Sequence, residues 1–208
     1  LDQTTIVALA HGGFSIKPMQ IPQRIHIIRD DEERLVQVQD SRFIYNWRRK
    51  SGDYPSYEVI RPEFDKRFEQ FCEFIHDSGF ENLVLNQWEV TYVNHIPKGD
   101  DQLWQTIGDW ERILPGLGLH GLDEVCALES MRAEWRAMIG ENQGRLHIEL
   151  QHGQRADEAE VMILKLTARG PIDPMSLGDG LDLGHQSIVR TFARITSEEG
   201  GKFWEPTA

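Results

Sequence analysis

Arg42-Phe43-Ile44-Tyr45-Asn46-Trp47-Arg48 is the stretch on which the fold turns. Successive side chains of a strand point to opposite faces. Phe43, Tyr45 and Trp47 therefore share one face, and Arg42, Ile44, Asn46 and Arg48 share the other. A short turn signal, Asp40-Ser41, precedes the stretch, and the apolar run 34–39 with Leu35, Val36 and Val38 comes before that. The acidic turn Asp30-Asp31-Glu32 separates this run from another, 24–29. Three short alternating segments punctuated by turn residues predict an antiparallel meander. The residues before Pro22, with the breakers His11-Gly12-Gly13, Lys17-Pro18 and Ile21-Pro22, read as irregular.

Beyond the meander, residues 52–57 read as a loop, and Pro62 suits the first turn of a helix. Phe64, Phe68, Phe71, Cys72 and Ile75 recur at helical spacing, with Glu63, Lys66, Arg67 and Glu73 on the other side. Gly79 suits the C-terminal end. Residues 83–96 read as a long strand, with Val84, Trp88, Val90, Tyr92 and Ile96 on one face and Gln87, Glu89, Thr91 and His95 on the other. A second helix is expected after Asp101, carrying Leu103, Trp104, Ile107, Trp110 and Leu114, and stopped by Pro115-Gly116-Leu117-Gly118. The next segment, 122–139, reads as a strand, although its Ala, Glu and Met content suits a helix equally. Residues 145–152 alternate cleanly, and 159–168 form an almost continuous apolar, central strand. After the loop 170–180, a helix over 185–196 carries Ile188, Val189, Phe192 and Ile195. Strands and helices do not alternate strictly, so the fold class is α+β: an antiparallel sheet with amphipathic helices packed on it. The Gly-rich stretch 115–118 suggests two similar halves, 22–115 and 119–199, within one domain.

A chain of 208 residues can bury a full core without disulfides or metals. Its formal net charge of −12 argues against generic nucleic-acid binding, which needs clustered Lys and Arg. Cys72 and Cys126 lie in apolar segments without metal-type spacing and read as buried free thiols in a reducing, cytoplasmic setting. No stretch is apolar enough to span a bilayer. The chain begins at Leu1 without Met or the basic start of a signal peptide, so residues are expected to be missing at the start or internally.

Asp40-Ser41-Arg42-Phe43-Ile44-Tyr45-Asn46-Trp47-Arg48, then Tyr54-Pro55-Ser56-Tyr57, then Glu89-Val90-Thr91-Tyr92-Val93-Asn94-His95-Ile96 form a distinctive series. It resembles a sporadically distributed family of uncharacterised bacterial proteins that carry this strand, the Tyr-Pro-x-Tyr step, a long helix and a Glu-x-x-Tyr-x-Asn-x-Ile strand. The resemblance covers most of the chain from Arg24 onward. It implies no catalytic residue. Its patchy distribution implies a mobile-element, defence or toxin–antitoxin setting.

Asn46, Arg48, Tyr54, Tyr57, Glu89, Tyr92, Asn94 and His95 are the candidate ligand-binding residues. Arg48 suits an anionic group, the tyrosines suit a ring, and the amides suit a polar edge. Alternation splits the set between two faces. Glu89 and His95 stand roughly 20 Å apart along their strand and cannot form an acid–base pair. His147 and Glu149, with His152 beyond, read as an exposed sheet face rather than a metal or general-base site. Gly178-Asp179-Gly180 lacks the Lys of a phosphate-binding loop, and no cofactor is expected. Trp204 fits no clear element and is the candidate partner-binding residue. The expected function is a non-enzymatic binding or interaction module for a partner protein or small ligand. The alternative is an enzyme on a nucleotide or RNA-like substrate, using Arg48, Tyr57, Glu89 or His95. A homodimer closed through sheet edges or the last helix is a third reading.

Overall fold

The computed structural model describes residues 3–10, 24–50, 54–80, 83–99, 103–116, 126, 128–155 and 158–204, with side chains from Arg24 to Gly201 within these ranges. Eight strands form a fully antiparallel sheet: β1 (Gln3–Ala10), β2 (Ile25–Ile28), β3 (Arg34–Gln39), β4 (Arg42–Arg48), β5 (Leu85–Pro97), β6 (Arg132–Ile139), β7 (Gly144–Gln154) and β8 (Glu160–Pro171). Their spatial order is β2-β3-β4-β1-β5-β8-β7-β6. The three strands β2–β4 and the four strands β5–β8 are joined through β1, which pairs with β4 on one side and β5 on the other. The helices are α1 (Tyr57–Asp77), α2 (Trp110–Ile113), α3 (Leu177–Ile195) and α4 (Glu198–Trp204). The protein is an α+β fold, and no described helix is long and apolar enough to cross a membrane.

The strand order contains an internal duplication. Each half runs outward from the centre as first, fourth, third and second strand: β1-β4-β3-β2 and β5-β8-β7-β6. Each half then ends in a long helix, α1 or α3. Because β1 and β5 pair antiparallel, the approximate two-fold axis passes between them, perpendicular to the sheet. Both long helices pack on the same face. That face carries Phe43, Tyr45 and Trp47 from β4, Trp88, Val90, Tyr92, Asn94 and Ile96 from β5, and Met162, Leu164, Leu166 and Ala168 from β8.

The meander over 24–48 follows the alternation of its residues, and Phe43 packs on Phe64, Phe68 and Phe71 of α1. The N-terminal segment does not follow the expectation. Residues 3–10 form a strand in the middle of the sheet, where a run such as Ile6-Val7-Ala8-Leu9 gains partners on both sides. His11-Gly12-Gly13 lies outside the described residues.

Three helix boundaries also differ. The first helix begins at Tyr57, so Pro62 sits inside it rather than in its first turn. The lost backbone bond at Pro62 is offset by tertiary anchors in the turn before it: Ile60 is fully buried, and Tyr57 and Arg61 bond to α3. The last long helix begins at Leu177, eight residues early, and runs through Gly178, Gly180 and Gly184. Two of these glycines are packing residues, because a Cβ at Gly180 would fall 2.3 Å from the Trp88 ring and one at Gly184 would fall 2.7 Å from it. Ser176 caps the helix by accepting a bond from the Asp179 amide, so Gly178-Asp179-Gly180 is helix and not a phosphate loop. The expected helix after Asp101 shrinks to a 3-10 turn, Ile107–Asp109, and the single turn α2. Asp109, bonded to the Thr106 amide and hydroxyl, makes the cap; Asp101 lies outside the described residues.

The strand expected over 122–139 is confined to 132–139 among the described residues. Cys72 is half-buried and Cys126 exposed, so only the first fits the expectation of a buried thiol. Val84, expected on the apolar face of its strand, is exposed, as is Phe74 on α1. Trp204 ends α4, and its side chain lies outside the described residues.

Candidate functional site

The eight candidate binding residues divide between the two faces of the sheet. Tyr54, Tyr57, Tyr92 and Asn94 lie on the helix-covered side, whereas Asn46, Glu89 and His95 point to the opposite side. Arg48 is exposed at the end of β4, where its Nε donates to the Glu32 carbonyl at 2.8 Å. No single ligand reaches the whole set.

On the helix side, three tyrosines meet partners that the sequence reading did not single out: Arg61, Asp182 and His185. The Tyr92 hydroxyl is 2.6 Å from His185 Nδ1 and also shares a hydrogen bond with Tyr54. The His185 ring is stacked on Tyr57. The Tyr57 hydroxyl donates to Asp182 at 2.8 Å and accepts from Arg61 at 3.1 Å. Arg61 completes the set with Asp182 at 2.6 Å, Asp65 at 3.0 Å and the Gly178 carbonyl at 3.2 Å. Burial lowers the His185 pKa, with Glu58 and Asp182 opposing the shift, so the imidazole favours its neutral form. Burial also raises the pKa of the Tyr57 and Tyr92 hydroxyls, keeping both protonated. These hydrogen bonds are internal: they clasp α1 to α3 across the centre of the duplicated sheet. Spacing could not have shown this, because Tyr57 and Asp182 lie 125 positions apart in the chain.

The opposite face carries a second cluster. Arg136 on β6 stands directly across from His147 on β7, and His147 across from Thr167 on β8. One step along, Arg145 stands across from Arg169. Adjacent strands lie about 4.8 Å apart, so three arginines are near neighbours of one histidine on this face. Thr167 Oγ1 is 3.0 Å from Thr91 Oγ1, extending the polar row onto β5. Burial lowers the His147 pKa, with Arg169 and Arg136 adding to the effect. Its Nε2 is shielded from solvent and has no hydrogen-bond partner among the described residues.

The gathering of Arg136, Arg145 and Arg169 about one histidine sets this cluster apart. Arg34 is paired with Glu63, Arg61 with Asp182, and Arg112 with Glu199. Arg136, Arg145 and Arg169 make no ion pair among the described residues, although Glu89 stands across from Arg169. On the next row, Glu149 is taken up by Lys165 at 3.0 Å. Three arginines without an ion pair among the described residues thus gather on one face of a chain where acidic residues outnumber basic ones by 34 to 22. Planar, permanently charged forks in this arrangement suit carboxylate or phosphate oxygens. Alternation along β7 is enough to place His147 and Glu149 on one sheet face with Arg145; Arg136 and Arg169 come from the two flanking strands.

Among the described residues, no group of His, Cys, Asp and Glu is placed to hold a metal ion. A depression of about 500 Å³ lies beside the turn between β6 and β7, lined by Glu141, Asn142, Gln143, Pro171, Asp173, Pro174 and Met175. Its two carboxylates give it the opposite charge preference to the arginine cluster.

The fold and clusters define a duplicated ββββα architecture with an internal tyrosine–histidine clasp on one face and a cationic patch on the other. No family model, curated protein or solved structure matches the chain.

Proposed function

We propose that this protein is a binding module that holds an anionic group, carried by a partner protein or a small ligand, on the face of its sheet opposite α1 and α3. The carrying observation is the convergence of Arg136, Arg145 and Arg169 on His147, with none of the three in an ion pair among the described residues. Leaving cations unpaired on an otherwise acidic protein gains nothing for the isolated chain, whereas a bound anion would relieve their mutual repulsion. The helix-side cluster supports the same reading from the other direction. Its hydroxyls and imidazole are engaged with one another, as a fold-holding network requires.

The enzymatic alternative draws less support. Tyr57 belongs to the helix side and Glu89 and His95 to the other, so these groups do not converge on one reacting atom. A mobile-element or defence setting, implied by the family resemblance, belongs to the same proposal, and the gene neighbourhood tests it.

The binding experiment uses inorganic pyrophosphate as probe in isothermal titration, with the intact chain and an R136Q/R145Q/R169Q variant. Saturable binding that the triple variant loses supports the proposal. No heat with the intact chain, or equal binding by the variant, overturns it. The three side chains are exposed, so the variant should melt as the intact chain does.

A further inference from the structure

We infer that β2 is an association edge at which a second copy of this chain pairs antiparallel, about a two-fold axis at Ile27. The two edges of the sheet are built differently. The outer strand β6 carries the charges Arg132, Glu134 and Arg136, a usual guard against edge pairing. The outer strand β2 is Ile25-His26-Ile27-Ile28, without Pro, Lys or a bulge. Its Ile25, Ile27 and Ile28 are 55%, 61% and 52% exposed.

Backbone direction limits how a second copy can add. The Arg29 N–H donates to the Arg34 carbonyl at 3.0 Å, marking Arg29 and Arg34 as a hydrogen-bonded pair. In an antiparallel ladder such pairs recur at every second residue. Ile27–Val36 and Ile25–Val38 therefore bond inward to β3, leaving the main-chain groups of His26 and Ile28 directed outward. The flanking Arg24 and Asp30 have the same parity.

An added strand must match outward groups with outward groups. A register centred on His26 sets Arg24 against Ile28, and one centred on Ile28 sets Arg24 against Glu32, which Lys50 already pairs. A register centred on Ile27 sets His26 against Ile28, Arg24 against Asp30, and Ile27 against Ile27 at the axis. Charge selects the last of these. Arg24 and Asp30 make no ion pair among the described residues, and each would gain one at both ends of the seam. By contrast, Arg29 is already paired with Asp31. Ile27 would occupy a non-hydrogen-bonded position, where facing side chains approach most closely. Ile25 and Ile27 of both copies would then close over each other beside the half-buried Val36 and Val38.

A seam this short lies at the low end of interface sizes, so the dimer is expected to be weak and concentration-dependent. The test is sedimentation velocity of the full chain from low to high micromolar concentration. The sedimentation coefficient should rise from monomer toward dimer. Ile27→Lys should hold the chain monomeric while leaving the circular dichroism spectrum and Tm unchanged. Arg24→Asp and Asp30→Arg should each raise the dimer Kd about tenfold, and R24D/D30R together should restore it. A monomer throughout, a dimer indifferent to Ile27→Lys, or a double variant no better than its parents overturns the inference. Pyrophosphate binding concerns the other end of the sheet, so either proposal can fail without the other.

Discussion

The Tyr57 ring and the His185 imidazole lie face to face, with centroids 4.0 Å apart and planes within 3° of parallel. Tyr57 belongs to α1 and His185 to α3, so this contact joins the two halves of the duplicated sheet. Tyr92 holds the imidazole edge at Nδ1, while Asp182 and Arg61 hold the phenol. The phenol cannot turn without breaking its bond to Asp182 in the other half, nor the imidazole without breaking its bond to Tyr92.

This arrangement predicts acid sensitivity. Burial in the folded chain holds the His185 pKa below the ordinary imidazole value of 6.5. Between the folded and unfolded pKa values, the unfolded chain therefore binds more protons, and stability rises with pH. The contribution is present above the unfolded pKa and is lost as pH falls through the folded one. His147, also depressed, acts with the same sign. Melting temperatures should fall as pH is lowered from neutral into the range of about 5. His185→Phe should flatten that dependence without abolishing it. Equal slopes for the two proteins would show that the clasp does not titrate.

The packing of α3 predicts a reversal of ordinary helix behaviour. Gly→Ala within a helix normally stabilises by about 1 kcal/mol. At Gly180 the added methyl would meet Trp88, which is fully buried and held between helix and sheet. Gly180→Ala should instead destabilise by about 1–3 kcal/mol. Urea denaturation of the Ala variant measures this directly, and Trp88→Phe in the same background should recover part of the loss. A more stable Gly180→Ala protein would mean that the helix stands further from Trp88.

How much of this was legible in the chain depends on the range of the interaction. Phe43, Tyr45 and Trp47 declared their face because alternation is local, and α+β followed from the order of such segments. The start of α3 was hidden because Gly178, Gly180 and Gly184 read as helix breakers until Trp88 is seen against them. The role of residues 3–10 was hidden because a central strand is defined by its neighbours, here β4 and β5. Tyr54, Tyr57 and Tyr92 could be picked out for their chemistry. Arg61, Asp182 and His185 could not, since each looks like the polar side of an ordinary amphipathic helix.

The patch on the face opposite α1 and α3 predicts a linked pH effect on binding. A protonated His147 would add a fourth positive charge beside Arg136, Arg145 and Arg169, and these arginines together with burial resist that protonation. A bound anion opposes the resistance. Pyrophosphate affinity should therefore increase as pH falls below about 6.5, opposite to the trend in stability. His147→Asn should remove the increase and leave the binding above neutrality in place. Titration calorimetry at both ends of this range distinguishes the two terms, and affinity independent of pH would place the anion away from the imidazole.

Asn94 supplies a prediction about cost. It is 1% exposed on the helix-covered face, opposite Leu164 and between Tyr92 and Ile96 on its strand. Neither its side-chain oxygen nor its nitrogen has a hydrogen-bond partner among the described residues. An amide taken from water without compensation costs about 1–3 kcal/mol. Leu has similar volume and no polar atoms, so Asn94→Leu should raise the unfolding free energy by about 1 kcal/mol or more. Asn94→Ala removes the same amide but leaves a cavity whose cost opposes the gain, so it should fall below the Leu variant. Urea denaturation of both variants, compared at equal m-value, gives the ordering. A destabilised Leu variant would mean that the amide is paired in solution, and the neighbouring end of the clasp at Tyr92 would be the place to look for its partner.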